Sequence, residues 1–106
     1  MRERPAFIDF DDQLKELIEK AEKATNDNFS KIKAMIGSSG GVYTAKQLLA
    51  QRERFSYRFK KLRDADLLDL SVESLVIKFA DTNLFEPSDI ETARWRLANA
   101  RQAKDD

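Results

Sequence analysis

The stretch LSVESLVIKF, residues 70–79, decides the fold class, because its second half, LVIKF, is the only strand-like run in the chain. Ser71 argues for a helix instead, since a serine at this point caps the first turn and Leu70 and Leu75 are spaced as a hydrophobic staple. One helical face then holds four apolar residues, Val72, Leu75, Val76 and Phe79. The stretch therefore predicts a helix, which leaves the chain without a convincing strand.

Amphipathic spacing predicts further helices upstream of this stretch. From Asp11 to Ile36, apolar residues recur every three or four positions, as one face of a helix requires. The polar run Thr25-Asn26-Asp27-Asn28 is either a surface turn of one long helix or a break whose side chains cap a second helix. We favour the break, and we expect the glycine-rich run 37–41 to end the second helix.

Two capping patterns predict where later helices begin. Thr44 and Gln47 form a capping box, which starts a helix at Ala45. The run Pro87-Ser88-Asp89-Ile90-Glu91 combines a stop signal with a cap and its box partner, so the last helix is expected to start near Asp89.

Length and composition fit a single helical domain. The chain has 106 residues, of which 36% are charged, with 19 basic and 19 acidic residues in balance. This composition suits a small domain with a large surface. The sequence thus predicts one compact all-α domain of five or six short helices over residues 1–106, with disordered ends at residues 1–6 and 102–106.

The residue types that are missing exclude most kinds of chemistry. The chain contains no Cys and no His, which removes disulfides, thiolate nucleophiles, the common zinc ligands and the usual general base. The carboxylates that remain fall in two groups, Asp9, Asp11 and Asp12, and Asp64, Asp66 and Asp69. Neither group matches a calcium loop, and the first is explained by the dipole at a helix N-terminus. We therefore expect a protein that is not an enzyme, with no cofactor and no metal.

The start of the sequence and its hydropathy indicate where in the cell the protein is expected. The basic start, residues 1–5, is followed by no apolar segment of a signal peptide, and no stretch approaches the length of a membrane span. We therefore expect a cytoplasmic protein that does not bind membranes.

The segment QRERFSYRFKKLR, residues 51–63, concentrates six basic and three aromatic residues. On a helix, Phe55, Phe59 and Leu62 share one face, which is predicted to be core. The other face holds the residues of a candidate nucleic-acid surface, Arg54, Tyr57, Arg58 and Lys61. There a tyrosine ring can stack on a base while cations meet phosphates. The zero net charge favours the alternative, a solvated helix.

The last helix offers a second candidate surface. Its apolar face consists of Ile90, Ala93, Leu97 and Ala100. Trp95, the only tryptophan, points almost directly away from that face. Either the arm Phe7-Ile8-Phe10 or another helix covers the ring, or the ring is an interface anchor with Arg94 and Arg96 as its polar rim.

Five motifs lie along the chain: Gly40-Gly41 with Ala45-Lys46 and Leu48-Leu49, then Phe59 with Leu62, then Leu68 to Glu73 with Leu75-Val76, then Leu84-Phe85, and finally Ile90-Glu91 with Ala93-Arg94 and Arg96-Leu97. Together they resemble a family of short, mostly uncharacterised bacterial proteins with the skeleton GGxxxAKxLL … LDLSVExLV … LF … ExARxRL. The resemblance implies no enzymatic activity, and it implies core positions at Leu48, Leu49, Leu62, Leu75, Val76, Leu84, Phe85 and Leu97. Glu73 of this skeleton is expected in the first turn of its helix, where it can pair with Arg94 or Arg96.

Our leading interpretation is a non-catalytic interaction module that binds a protein partner through Trp95, Arg94, Tyr57 and Arg58. The alternative is a nucleic-acid-associated protein that uses Arg54, Tyr57, Arg58 and Lys61. Short amphipathic helices often leave an apolar strip to share, so a homodimer is a further possibility.

Overall fold

Helices make up almost all of the described chain. The computed structural model describes residues 5–50 and 57–100, the second range without the side chains of Tyr57 and Arg58. Its α-helices are α1 (Ala6–Thr25), α2 (Ser30–Ser39), α3 (Gly41–Leu49), α4 (Tyr57–Asp64), α5 (Val72–Lys78) and α6 (Pro87–Asn99), with 3₁₀ turns at Leu68–Leu70 and Ala80–Thr82. No strand occurs in these ranges. The predicted all-α architecture with five or six helices is confirmed.

The stretch that decides the fold class forms a helix, as predicted. Ser71 has an extended backbone, and its Oγ accepts the backbone N–H of Ser74 at 3.1 Å. The same hydroxyl donates to the carbonyl oxygen of Leu68 at 2.6 Å, which joins α5 to the preceding 3₁₀ turn. Leu75 and Val76 are buried in the core. A local cap therefore outweighs the strand propensity of LVIKF.

Helix α1 is the longest element and carries the central apolar stripe of the core. Its buried residues are Phe10, Leu14, Ile18 and Ala21. The helix begins at Ala6, with Pro5 as its cap. The prediction that residues 1–6 form a disordered end is therefore wrong for these two residues. The remaining parts of the predicted ends, residues 1–4 and 102–106, lie outside the described residues. The ring of Phe10 meets those of Phe79 and Phe85 edge-on, with centroids 5.2 and 5.1 Å apart.

The predicted break between the first two helices is present. Asn26 adopts a left-handed conformation and ends α1. Glu22 then reaches across the turn, where its Oε2 accepts the backbone N–H of Phe29 at 2.8 Å and its Oε1 accepts from Lys33 Nζ at 2.9 Å. Within the polar run, Asn28 Oδ1 accepts the N–H of Ser30 at 2.8 Å. The hydrogen bond from Phe29, and then the ammonium of Lys33, lower the pKa of Glu22 below its ordinary value.

The glycine-rich run ends α2, as predicted, but the start of α3 differs from the prediction. Helix α2 continues through Gly37 to Ser39 and ends at Gly40, whose φ of 89° favours glycine. Helix α3 then starts at Gly41, so Thr44 lies inside it and forms no capping box. Its hydroxyl donates instead to the carbonyl oxygen of Gly40 at 2.8 Å. The earlier start has a physical cause, because Asp11 Oδ1 on α1 accepts the N–H of Gly41 at 2.6 Å.

The last helix also begins earlier than predicted. Glu86 is its cap, Pro87 is its first residue, and Glu86 forms a reciprocal capping box with Asp89. Pro87 is therefore a start signal rather than a stop, since a proline lacks only the N–H that a first helical residue leaves unused.

Substitution of Gly41 tests the close contact between α1 and α3. A Cβ at this position would lie 3.0 Å from Asp11 Oδ1 and 3.1 Å from Asp11 Cα, whereas one at Gly37 would meet nothing within 4 Å. We expect Gly41→Ala to lower the free energy of unfolding by about 1–3 kcal/mol. The matched control Gly37→Ala should raise it by about 0.5–1 kcal/mol, because alanine favours the helix. Urea titration measures both, and equal effects of the two variants would contradict the close packing.

The Glu22 carboxylate predicts a pH-dependent part of the stability. Its pKa is lower in the folded than in the unfolded chain, so its stabilisation is present above the unfolded pKa and is lost as the pH falls through the folded pKa. Glu22→Gln should therefore lower the thermal midpoint at neutral pH and should match the wild type once that carboxyl is protonated. Exposed Glu19 on the same helix supplies the control, since Glu19→Gln should change little across this range. A deficit of Glu22→Gln that persists undiminished at acid pH would contradict this role.

Candidate functional site

One charged pair lies inside the core and joins three helices. Arg96 of α6 is only 1% exposed, and Glu73 in the first turn of α5 is 4% exposed. Arg96 Nη1 donates to Glu73 Oε2 at 2.8 Å and to the carbonyl oxygen of Leu48 at 3.0 Å. The guanidinium therefore links α6 to α5 and to the end of α3.

Both partners of Arg96 are groups that attract a cation. Leu48 is the penultimate residue of α3, and carbonyls in the last turn of a helix have no N–H partner within that helix. Glu73 supplies the opposite charge, and its own position in the first turn of α5 suits the positive end of that helix. No buried side-chain nitrogen or oxygen in the described residues is left without a hydrogen-bond partner. The pair is thus a satisfied structural unit.

The predicted role of Arg96 at a surface is wrong. The interface alternative for Trp95 placed Arg94 and Arg96 together in a polar rim beside the ring, but Arg96 is buried and Arg94 alone is exposed. The expected partner of Glu73 was either of these arginines, and the structure selects Arg96. One sequence feature indicates the burial of Arg96. Thr92, Arg96 and Ala100 are spaced at intervals of four, which places Arg96 on the buried face of the helix.

Trp95 lies at the edge of the buried face of α6. Besides Ala93 and Ala100 of the predicted apolar face, that buried face includes Thr92 and Arg96. Because successive residues of a helix are rotated by about 100°, the centre of the observed buried face lies closer to Trp95 than the centre of the predicted apolar face does. Trp95 is consequently 39% exposed rather than fully in solvent. Exposed Arg94 precedes it on the same helix.

The basic segment is described only in part. Phe59 and Leu62 are buried in the core, as predicted, and Phe55 lies outside the described residues. Among the four predicted nucleic-acid residues, Arg54 and the side chains of Tyr57 and Arg58 also lie outside them. The fourth, Lys61, forms an ion pair with Asp27 in the turn between α1 and α2, with Nζ 3.3 Å from Oδ2.

Each of the two acidic groups has a member that forms a contact within the fold. Asp11 accepts the N–H of Gly41, and Asp64 pairs with Arg63 at 2.8 Å. Within residues 5–50 and 57–100, no cluster of three or more acidic side chains is arranged to hold a metal ion. None of the helices in these ranges has the length and apolar character that crossing a membrane requires.

A surface groove between α1 and α5 was not predicted from the sequence. Its volume is about 640 Å³, within the usual range of binding pockets. Helix α1 contributes Gln13, Glu16, Leu17 and Lys20, and the segment from the 3₁₀ turn through α5 contributes Asp69, Leu70, Ser74, Leu75, Ile77 and Lys78. The spacing of the α1 residues by three and four was visible in the sequence, but which helix lies beside them was not.

No family model, no curated protein and no solved structure matches this chain. The resemblance to short bacterial proteins therefore stays a prediction, and the arguments below depend on the geometry alone.

A double-mutant cycle tests whether Arg96 and Glu73 act as one unit. Arg96→Met should lower the free energy of unfolding by about 3–5 kcal/mol, because it leaves the carboxylate of Glu73 buried without its cation. Combining it with Glu73→Leu should recover a large part of that loss, because the second change removes the uncompensated charge. Arg94→Met, the exposed control, should stay within about 0.5 kcal/mol of the wild type. Additive effects of the two core substitutions in denaturant titrations would contradict this coupling.

Proposed function

We propose that the protein is a small interaction module without catalytic activity, which binds a protein partner through the surface around Trp95 and Arg94. Tyr57 and Arg58 of the basic segment are proposed as further contacts. The observation that carries this proposal is the exposure of Trp95, which keeps 39% of its surface in solvent directly beside the exposed Arg94.

A tryptophan beside an arginine has the chemistry of an interface centre. These two residue types are enriched among the few side chains that dominate binding energies. An indole ring offers a large apolar area, and its N–H still forms a hydrogen bond. Covering the exposed part of Trp95 removes apolar surface from water, while Arg94 can pair with a carboxylate of the partner.

The buried pair beneath this surface supports the proposal from inside the fold. Arg96 follows Trp95 directly and is held by Glu73 and by the carbonyl of Leu48. This fixes the rotation of α6 and thereby the direction in which Trp95 projects. A surface that is already rigid loses less conformational entropy when it binds.

The nucleic-acid alternative has weaker support. The chain carries 19 basic and 19 acidic residues, whereas binders of nucleic acid usually have an excess of positive charge. Lys61, one of the four residues proposed for that role, is already paired with Asp27.

Affinity capture with surface variants tests the proposed surface. We expect the wild-type protein, immobilised and cross-linked in a lysate of cells that naturally express it, to retain a partner that Trp95→Ala and Arg94→Ala both lose. Tyr43→Ala is the matched control, since Tyr43 is an aromatic residue with 51% exposure on α3. It should retain the same partner, and circular dichroism should show all three variants folded.

Two results would overturn the proposed surface. One is a partner that Trp95→Ala retains as well as the wild type does. The other is binding of fluorescent single-stranded or duplex DNA or RNA that weakens steeply with salt and is lost in Tyr57→Ala with Arg58→Ala. That second result would assign the basic segment to nucleic acid instead.

A further inference from the structure

The groove between α1 and α5, here called the α1–α5 groove, has an apolar floor between two charged edges. Leu17, Leu70 and Ile77 are only partly buried, although they pack against the core. Glu16 and Lys20 stand along the α1 edge, and Asp69 and Lys78 stand along the α5 edge. The floor is therefore apolar surface that the described residues leave in contact with solvent.

The two edges of the groove run in opposite directions. Phe10, near the start of α1, contacts Phe79, just after the end of α5. Leu17, further along α1, lines a small cavity together with Leu70 and Val72 at the start of α5. Helices α1 and α5 are therefore antiparallel, and the α5 edge has its acidic residue, Asp69, at one end and its basic residue, Lys78, at the other.

The charges on the α5 edge have no ion-pair partner within the described part of the chain. Glu16 pairs with Lys20 along α1, with Oε1 3.3 Å from Nζ. By contrast, Asp69 and Lys78 are both exposed and form no ion pair among the described residues. They are nine positions apart in the sequence and border the apolar floor at its two ends.

We propose that the occupant of the α1–α5 groove is a second copy of this chain, related by a two-fold axis that lies between the two copies, perpendicular to α5 and level with the middle of that helix. Such an axis reverses the direction of α5, so Asp69 of each copy faces Lys78 of the other and two ion pairs form. A surface with this charge order is complementary to itself, which is the condition for a closed dimer with one shared patch.

The side chains of α5 also fit this arrangement. Ile77 is a half-buried apolar side chain that can enter the groove of the other copy, and small Ser74 one turn earlier allows the two helices to approach. The patch contains about ten residues on each copy, fewer than the 20–30 of a standard interface. The dimer is therefore weak, with a dissociation constant in the micromolar range or above.

Charge reversal tests the two-fold geometry. We expect sedimentation velocity to show a concentration-dependent dimer of the wild type between about 10 µM and about 1 mM. Asp69→Lys and Lys78→Asp should each weaken the dimer at least about tenfold, because each places like charges opposite one another at two symmetric sites. The double variant restores opposite charges and should recover an affinity within about threefold of the wild type. Recovery of this kind requires residue 69 to face residue 78 of another copy.

Controls separate this dimer from changes within one copy and from the proposed partner surface. Asp69 and Lys78 also suit the dipole of their own helix, so thermal melts must show each variant folded at the assay temperature. Trp95→Ala should leave the dimer intact, because Trp95 is not part of the groove. A wild type that stays monomeric throughout, single reversals without effect, or a double variant as weak as the singles would each overturn the proposal. Loss of the dimer in Trp95→Ala alone would place the second copy on the other surface.

Discussion

The buried guanidinium of Arg96 is the constraint on which the arrangement of three helices depends. A charged group in the core destabilises the fold unless its hydrogen bonds and its charge are satisfied there. Glu73 provides the charge and Leu48 provides a carbonyl at the end of α3. These two groups must reach the same point for Arg96 to remain inside. The ends of α3 and α5 and the rotation of α6 are therefore fixed together rather than one by one.

The polar contacts that organise the fold join residues far apart in the sequence. Asp11 holds Gly41 from 30 positions away, and Arg96 holds Leu48 from 48 positions away. Apolar packing tolerates small rotations of a helix, whereas a hydrogen bond weakens steeply when its geometry changes. Each of these bonds therefore selects one register for its pair of helices.

The difference between local contacts and contacts over long sequence distances explains which features could be predicted from the sequence. The cap at Ser71 and the break at Asn26 depend on residues a few positions away, so local patterns were sufficient to find them. The start of α3 was misplaced, because the residue that satisfies Gly41 lies on another helix. The pairing of Glu73 with Arg94 or Arg96 was predicted, but the full burial of Arg96 was not, because arginine is almost never fully buried without a partner and its carbonyl partner is not recognisable from residue type. The α1–α5 groove was missed because helical periodicity does not show which helices are neighbours.

Helix α5 connects the buried pair to the surface groove, although it has only seven residues. A helix this short is not stable alone, so its position depends on its contacts. Ser71 caps its start, Glu73 ties its first turn to α6, and Leu75 and Val76 bury one face. The opposite face borders the groove with Ser74, Ile77 and Lys78. Loosening Arg96 would therefore change the stability of α6 beneath Trp95 and also the edge of the α1–α5 groove, which makes the core pair a common support for both surfaces.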